Sequence, residues 1–349
     1  MIEEAFYHTP FEIACHFSQT TNFFLPQGPN CFRMRARKSP FASPTLLTSI
    51  MPTSSPAIID THQHLWDLAK LELPWLNGAG PPLAGKHWTE EYAKATEGLN
   101  IEASMYMEVD AAADQKQREA DTILGLITSG KTTTRYAILS ADPGKNGFRK
   151  FVDQFRENDA VKGFRQVLHG GSTPAGYCLQ PKFIENCRYL GSLGKTFDLC
   201  IRPKELKDAA RLAEACPQTR FVLDHCGNAD PKAFFPSNDS RRGTPDHDAD
   251  QWRQDMATLA EQENLFCKIS GIVARVPDQW NPDDLRPIVQ HCAEAFGESR
   301  IVFGSDWPVC KMGASLQDWV AALTQIITPW SADHQSRLWR ENALAVYHI

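Results

Sequence analysis

Three short stretches of this sequence set metal-binding and proton-transferring side chains beside one another. Asp60-Thr61-His62-Gln63-His64 follows the apolar pair Ile58-Ile59. Residues two apart in a strand share a side, so His62 and His64 are expected to face the same way and to chelate one divalent ion. Gly304-Ser305-Asp306-Trp307-Pro308 follows the apolar run Ile301–Phe303. A carboxylate at such a strand end can ligate a metal and take a proton from attacking water; an aspartate close to a proline also suits a turn or helix cap. Asp224-His225-Cys226-Gly227 follows Phe221–Leu223. His225 is expected to end that strand facing inward, where it can ligate metal, polarise a carbonyl or simply bond a backbone carbonyl. Asp224 is expected to point the other way.

Groups so far apart in sequence can meet only if the elements that carry them converge. From Ala57 onward, apolar strand-like runs alternate with helical periodicity. The runs are Ala57–His62, Ala103–Glu108, Tyr136–Ser140, Val161–Val167, Phe197–Ile201, Phe221–Leu223, Leu265–Ile269 and Ile301–Gly304. Near-continuous apolar strands suit a parallel sheet buried on both faces. Helical spacing occupies Asp114–Ser129, Glu205–Cys216, Trp252–Gln262, Pro282–Phe296, Leu316–Ile327 and Ala332–Val346. Eight βα repeats in about 290 residues predict a (β/α)8 TIM barrel of distorted form. A doubly wound open sheet would carry a Gly-rich phosphate turn after the first strand, and none is present. In a barrel the eighth strand closes on the first, so His62, His64 and Asp306 are expected at one mouth. The long polar connection from Gly227 to Asp250 is expected to overhang that mouth.

The first 56 residues show neither period. They carry a basic patch (Arg33, Arg35, Arg37, Lys38) and a Pro/Ser/Thr-rich run from Ser39 to Pro56. They are expected to form a poorly structured extension preceding a single barrel domain, 57–349, with Met51 as a candidate start. The acidic beginning (Glu3, Glu4) is unlike a secretory signal. A net charge of -6 argues against nucleic-acid partners, which need clustered basic charge. No run approaches the roughly 18 apolar residues of a membrane helix. The ten cysteines form no CxxC pair and are expected to be reduced, as in a cytoplasmic protein.

The ordered set of motifs resembles the amidohydrolase superfamily. IDTHQHLWD, KGFRQVLH (Lys162–His169), FDLCIRP (Phe197–Pro203), VLDHCG, KISG (Lys268–Gly271) and VFGSDWP are similar to its lactonase-like branch, which includes fuconolactonase, rhamnonolactonase and pyrone-dicarboxylate lactonase relatives. The resemblance runs from Ile58 to the end. It implies a hydrolase that opens a sugar-acid lactone, with Asp306 and His225 catalytic. His62, His64 and Asp306 are the implied ligands of one divalent ion, zinc or a similar metal, with no organic cofactor; Glu108, at the end of the second strand, is expected either as a further metal ligand or as a contact to substrate hydroxyls. Two departures argue against a two-metal centre. Arg165 and Gln166 stand where binuclear members have a bridging lysine or glutamate. Cys200-Ile201-Arg202 stands where they have a fifth-strand histidine. Arg165, His169, Arg202, Lys268, Ser270 and Trp307 are the expected substrate-binding groups. A metal-dependent decarboxylase and a binding barrel without catalysis are the alternatives. Oligomer formation is left open.

Overall fold

The computed structural model describes residues 56–171 and 173–349. The expected extension lies outside the described residues except for Pro56. No helix among the described residues is long and apolar enough to cross a membrane.

Eight parallel strands, β1 (Ile58–Gln63), β2 (Ile101–Met107), β3 (Thr134–Ser140), β4 (Val161–Val167), β5 (Thr196–Cys200), β6 (Phe221–Leu223), β7 (Leu265–Ile269) and β8 (Ile301–Phe303), pair in sequential order. The expected runs match these strands to within two residues at either end. The last gap is closed just beyond β8. Thr61 Oγ1 donates to Phe303 O at 2.6 Å. Asp306 N donates to His62 O and His64 N to Trp307 O, each at 2.8 Å. The barrel is therefore nearly closed, and its seam carries two of the three motifs side by side.

Helices α1 (Thr89–Ala95), α2 (Lys116–Ser129), α3 (Phe148–Val152), α4 (Pro181–Ser192), α5 (Leu206–Ala215), α6 (Ala249–Ala260), α7 (Pro282–Phe296) and α8 (Leu316–Ile327) follow the successive strands. The longer ones bury an apolar stripe. In α5 it is Leu206, Ala209, Ala210, Leu212 and Ala213, and a fully buried leucine is worth about 1.5–3 kcal/mol. The start of α7 is fixed by Asn281 and Asp284 in a capping box, with Pro282 in the first turn, where its missing N–H costs nothing. The final segment departs from the single expected helix. It is α-helical over Ala332–Ser336, widens to a π-turn over Arg337–Glu341 and resumes at Asn342–Tyr347.

The barrel interior is filled rather than hollow, as layers of inward side chains require. Met105, Met107, Ile138, Val222 and Val302 pack together, with Val346 and Tyr347 of the last helix packed against them. Tight strand contact also explains Gly163 in β4. A Cβ there would lie 2.1 Å from Thr196 Oγ1 on β5, so no larger residue fits without moving a strand.

Candidate active site and metal centre

His62 Nε2, His64 Nε2 and Asp306 Oδ1 form a triangle with sides of 3.1, 3.4 and 3.6 Å. All three residues are buried. Tetrahedral coordination with bonds of about 2.0–2.1 Å places ligand atoms about 3.3–3.4 Å apart, so this donor set fits one small divalent ion. The outer nitrogens are also arranged for it. His64 Nδ1 bonds Met107 O at 3.0 Å, which fixes Nδ1–H and frees Nε2 as a ligand. His62 Nδ1 lies 3.4 Å from Asp224 Oδ1.

β1 does not present its two histidines by regular alternation. It carries a register shift between Asp60 and Gln63. Asp60 accepts from Tyr92 of α1 at 2.7 Å and from Ser305 N at 2.8 Å. His62, two residues on, instead meets Lys268, Asp224 and Arg165. A bulge re-aims side chains in this way. Gly304 leaves room for it, since a Cβ there would sit 2.7 Å from that of His62.

Beneath the triangle lies a buried charge network. Lys268, fully buried, donates to Asp198 Oδ2 at 2.6 Å and lies 2.9 Å from Asp224 Oδ1. Arg165 reaches Glu108 Oε1 at 2.6 Å, Glu108 O at 2.7 Å and Asp224 Oδ2 at 3.2 Å. Tyr347 OH completes the set on Asp198 at 3.0 Å. Burial, with repulsion from Asp224, pushes Asp198 up to about 6 against the pull of Lys268. Asp224 is held well below the usual carboxylate range, because Lys268 and His62 outweigh its burial. Burial holds His62 well below its ordinary value, and Lys268 and His225 add to this while Asp224 opposes it. A neutral imidazole is the form that binds metal.

Several expected roles change on this arrangement. Asp224 does not point away; it faces inward with Val222, two residues before it, and joins His62, Lys268 and Arg165. Alternation dictates this, and the break in the strand comes one residue later. His225, Cys226, Gly227 and Asn228 all have φ between 51° and 67°, which turns the His225 ring toward His62 at 4.6 Å between centroids. Glu108 is not in the triangle. Its Oε1 is taken by Arg165 and its Oε2 by Asp110 N at 2.8 Å. Arg202 spends its guanidinium on Leu168 O, Gly170 O, Thr173 O and Glu205, so it ties down the loop after β4. Lys268 is a buried counter-ion. Trp307 is buried against His87 and Tyr92 and offers no open face.

Three expected groups do lie near the site histidines. Arg165 NH1 comes within 3.4 Å of His62 Nε2. Ser270 Oγ lies 2.9 Å from His225 Nδ1. His169 is exposed yet hemmed in by protein, and this crowding, then His225, Arg165, Arg202 and Arg275, pushes it down to about 4. Its solvent contact screens part of that effect. Gly271 is required beside His225: a Cβ there would meet Nδ1 at 2.4 Å. The long connection after β6 is pinned rather than loose. Asp230 N donates to His247 Nε2 at 2.8 Å, and Arg241 bridges Asp239 and Asp284.

Sequence reading missed Asp198 and Asp224. The signal was there: charged residues stand inside or directly after the otherwise apolar β5, β6 and β7, and unpaired charges are not buried.

Known proteins bear on this geometry. The chain is 27% identical over 309 residues to an L-fucono-1,5-lactonase of Burkholderia multivorans, covering 83% of this chain and 96% of the relative. It is 23% identical over 344 residues to an L-rhamnono-gamma-lactonase of Scheffersomyces stipitis, covering 84% and 98%. A crystal structure of an amidohydrolase from Burkholderia multivorans with bound zinc superposes with a TM-score of 0.72 at 24% identity, covering 84% and 99%. The amidohydrolase family model matches residues 59–349, a span that takes in all of the barrel strands but Ile58 and each residue of the triangle. The chain belongs to the amidohydrolase family.

Proposed function

We propose that this protein hydrolyses the lactone ring of a sugar acid, using one divalent ion held by His62, His64 and Asp306. The triangle of donor atoms carries this reading, because its sides match a tetrahedral site to within about 0.3 Å. The zinc of the crystallised relative and the names of the two lactonases support it. Bound there, the ion supplies Lewis acidity, acidifying water and polarising an ester carbonyl.

The chain's own groups do the rest. Asp306 takes a proton from water as its oxygen attacks the ring carbonyl. The same proton then passes to the ring oxygen as the C–O bond breaks. No covalent intermediate with the protein is required. His225 faces the site; with the Ser270 hydroxyl donating into Nδ1, Nε2–H becomes a donor to the developing oxyanion. Arg165 adds fixed positive charge beside His62. His169 at the rim offers a further polar contact to a hydroxylated substrate. The product acid ionises, so each turnover releases one proton.

The test is proton release across aldonolactones, carboxamides and aromatic carboxylates at neutral pH. Turnover of five- or six-membered sugar lactones, lost on chelation and restored by zinc, is expected. Carbon dioxide release from a carboxylate without lactone turnover would overturn the proposal in favour of a decarboxylase.

A further inference from the structure

Behind the active site, on the far side of the His225 turn, three cysteines from three separate elements converge. Cys226 lies in the left-handed turn after β6, Cys267 in β7 and Cys292 in α7. All three are fully buried. Their sulfurs lie within 4.8 Å of one another, and Cys226 Sγ donates to Lys268 O at 3.7 Å. The mechanism above uses none of them. We propose that Cys226, Cys267 and Cys292 form a trithiol site for a trivalent thiophilic metalloid, with arsenous acid as its soluble form.

Charge selects the ligand class. Three thiolates around a univalent soft cation leave two net negative charges, and around a divalent one they leave one. The nearby cation, Lys268, is committed to Asp198 and Asp224. An uncompensated charge in such surroundings is strongly disfavoured. A trivalent centre leaves none. Arsenous acid exchanges its three hydroxyls for three sulfurs: three S–H and three As–O bonds break, three As–S bonds and three waters form, and no electron is transferred. The reagent is small and neutral, as entry to a buried pocket requires. Softness matches as well, because thiol sulfur prefers polarisable centres.

Cys226 links this site to the chemistry. It follows His225 directly and shares its left-handed backbone, where a non-glycine residue is strained. Joining its sulfur to β7 and α7 pins the turn that holds the His225 ring over His62.

The experiment incubates the full-length protein with arsenite and follows bound arsenic by native mass spectrometry and X-ray absorption. The expected result is slow uptake of one equivalent bound by three sulfurs. It is lost in each of Cys226→Ser, Cys267→Ser and Cys292→Ser, and retained in His62→Ala/His64→Ala. Where a serine variant fails to fold, the matching alanine variant is used, and a Cys178→Ser control should keep full uptake. Uptake that survives loss of any one of the three cysteines, or no uptake at all, overturns the proposal. So does stoichiometric cadmium binding by the trio in a protein that refuses arsenite.

Discussion

Replacing Asp306 by asparagine separates catalysis from folding at a single atom. Asp306 sits at φ 55°, a region that asparagine tolerates far better than most residues. Its backbone N–H keeps the 2.8 Å bond to His62 O that closes the barrel. The substitution therefore leaves the seam intact and removes only the carboxylate, which lies 3.4–3.6 Å from the two imidazole nitrogens. Loss of a general base costs about 10²–10⁴-fold, or about 2.7–5.4 kcal/mol in the barrier at 1.36 kcal/mol per decade. Loss of a ligand adds to this at subsaturating metal. Among the described residues the carboxylate is ion-paired with no lysine or arginine and lies only beside His62 and His64, so little ion-pair energy is lost, and the melting temperature should move by only a few degrees. Lactone turnover is measured by proton release at saturating zinc, alongside thermal unfolding. Activity within tenfold of wild type would refute the assignment of Asp306 as base. A large fall in melting temperature would refute the claim that its carboxylate is spared from the fold.

Purified protein should retain one equivalent of divalent metal, and His64→Ala should release it on dialysis; two equivalents by elemental analysis would contradict the single triangle. Gly271→Ala should lower kcat about 10²-fold through displacement of His225, with circular dichroism unchanged; wild-type activity would show that the ring's position is unimportant. His62 and His225 are both held below their ordinary value, chiefly by burial, so imidazole resonances of the metal-free protein should show both titrating below the ordinary histidine range. The linked stability is flat above about 6.5 and falls as pH drops below it, because the unfolded chain then binds protons that the folded one refuses. The loss is up to about 1.4 kcal/mol per pH unit for each histidine, read for His225 as the difference from His225→Asn in urea titrations at two pH values. A shortened chain beginning at Met51 should keep full lactone turnover; its inactivity would give residues 1–50 a structural role.

The barrel was legible because each strand's apolar run is punctuated by small or polar residues, and because β4, β6 and β7 are bounded as their composition suggests. HxH and SDWP were legible as a pair because barrel closure forces strands one and eight together. Asp224 was misjudged for a local reason. Its orientation depends on where regular alternation stops, and four consecutive left-handed residues begin just after it. Nothing in Asp224-His225-Cys226-Gly227 beyond the glycine announces that turn. Arg202 was misjudged because an arginine at a strand end can serve a ligand or the protein's own carbonyls, and only the fold of the loop after β4 decides. Glu108 followed the same logic: its partner Arg165 lies 57 residues away, and no spacing rule connects them.

The stacked charges under the active site constrain how this protein can change over generations. Lys268 is shared between Asp198 and Asp224, and Arg165 between Asp224 and Glu108. Each cation thus answers for two acids, and Asp224 answers to both cations. Losing either cation strands a buried carboxylate, at about 3–5 kcal/mol, a large share of the 5–15 kcal/mol that holds a domain folded. Single steps away from this layout are therefore steep, while paired steps that retire an acid together with its base are shallow. Divergence in this layer is expected to proceed by compensated pairs. The loops at the mouth, free of that coupling, are where substrate preference can drift one residue at a time.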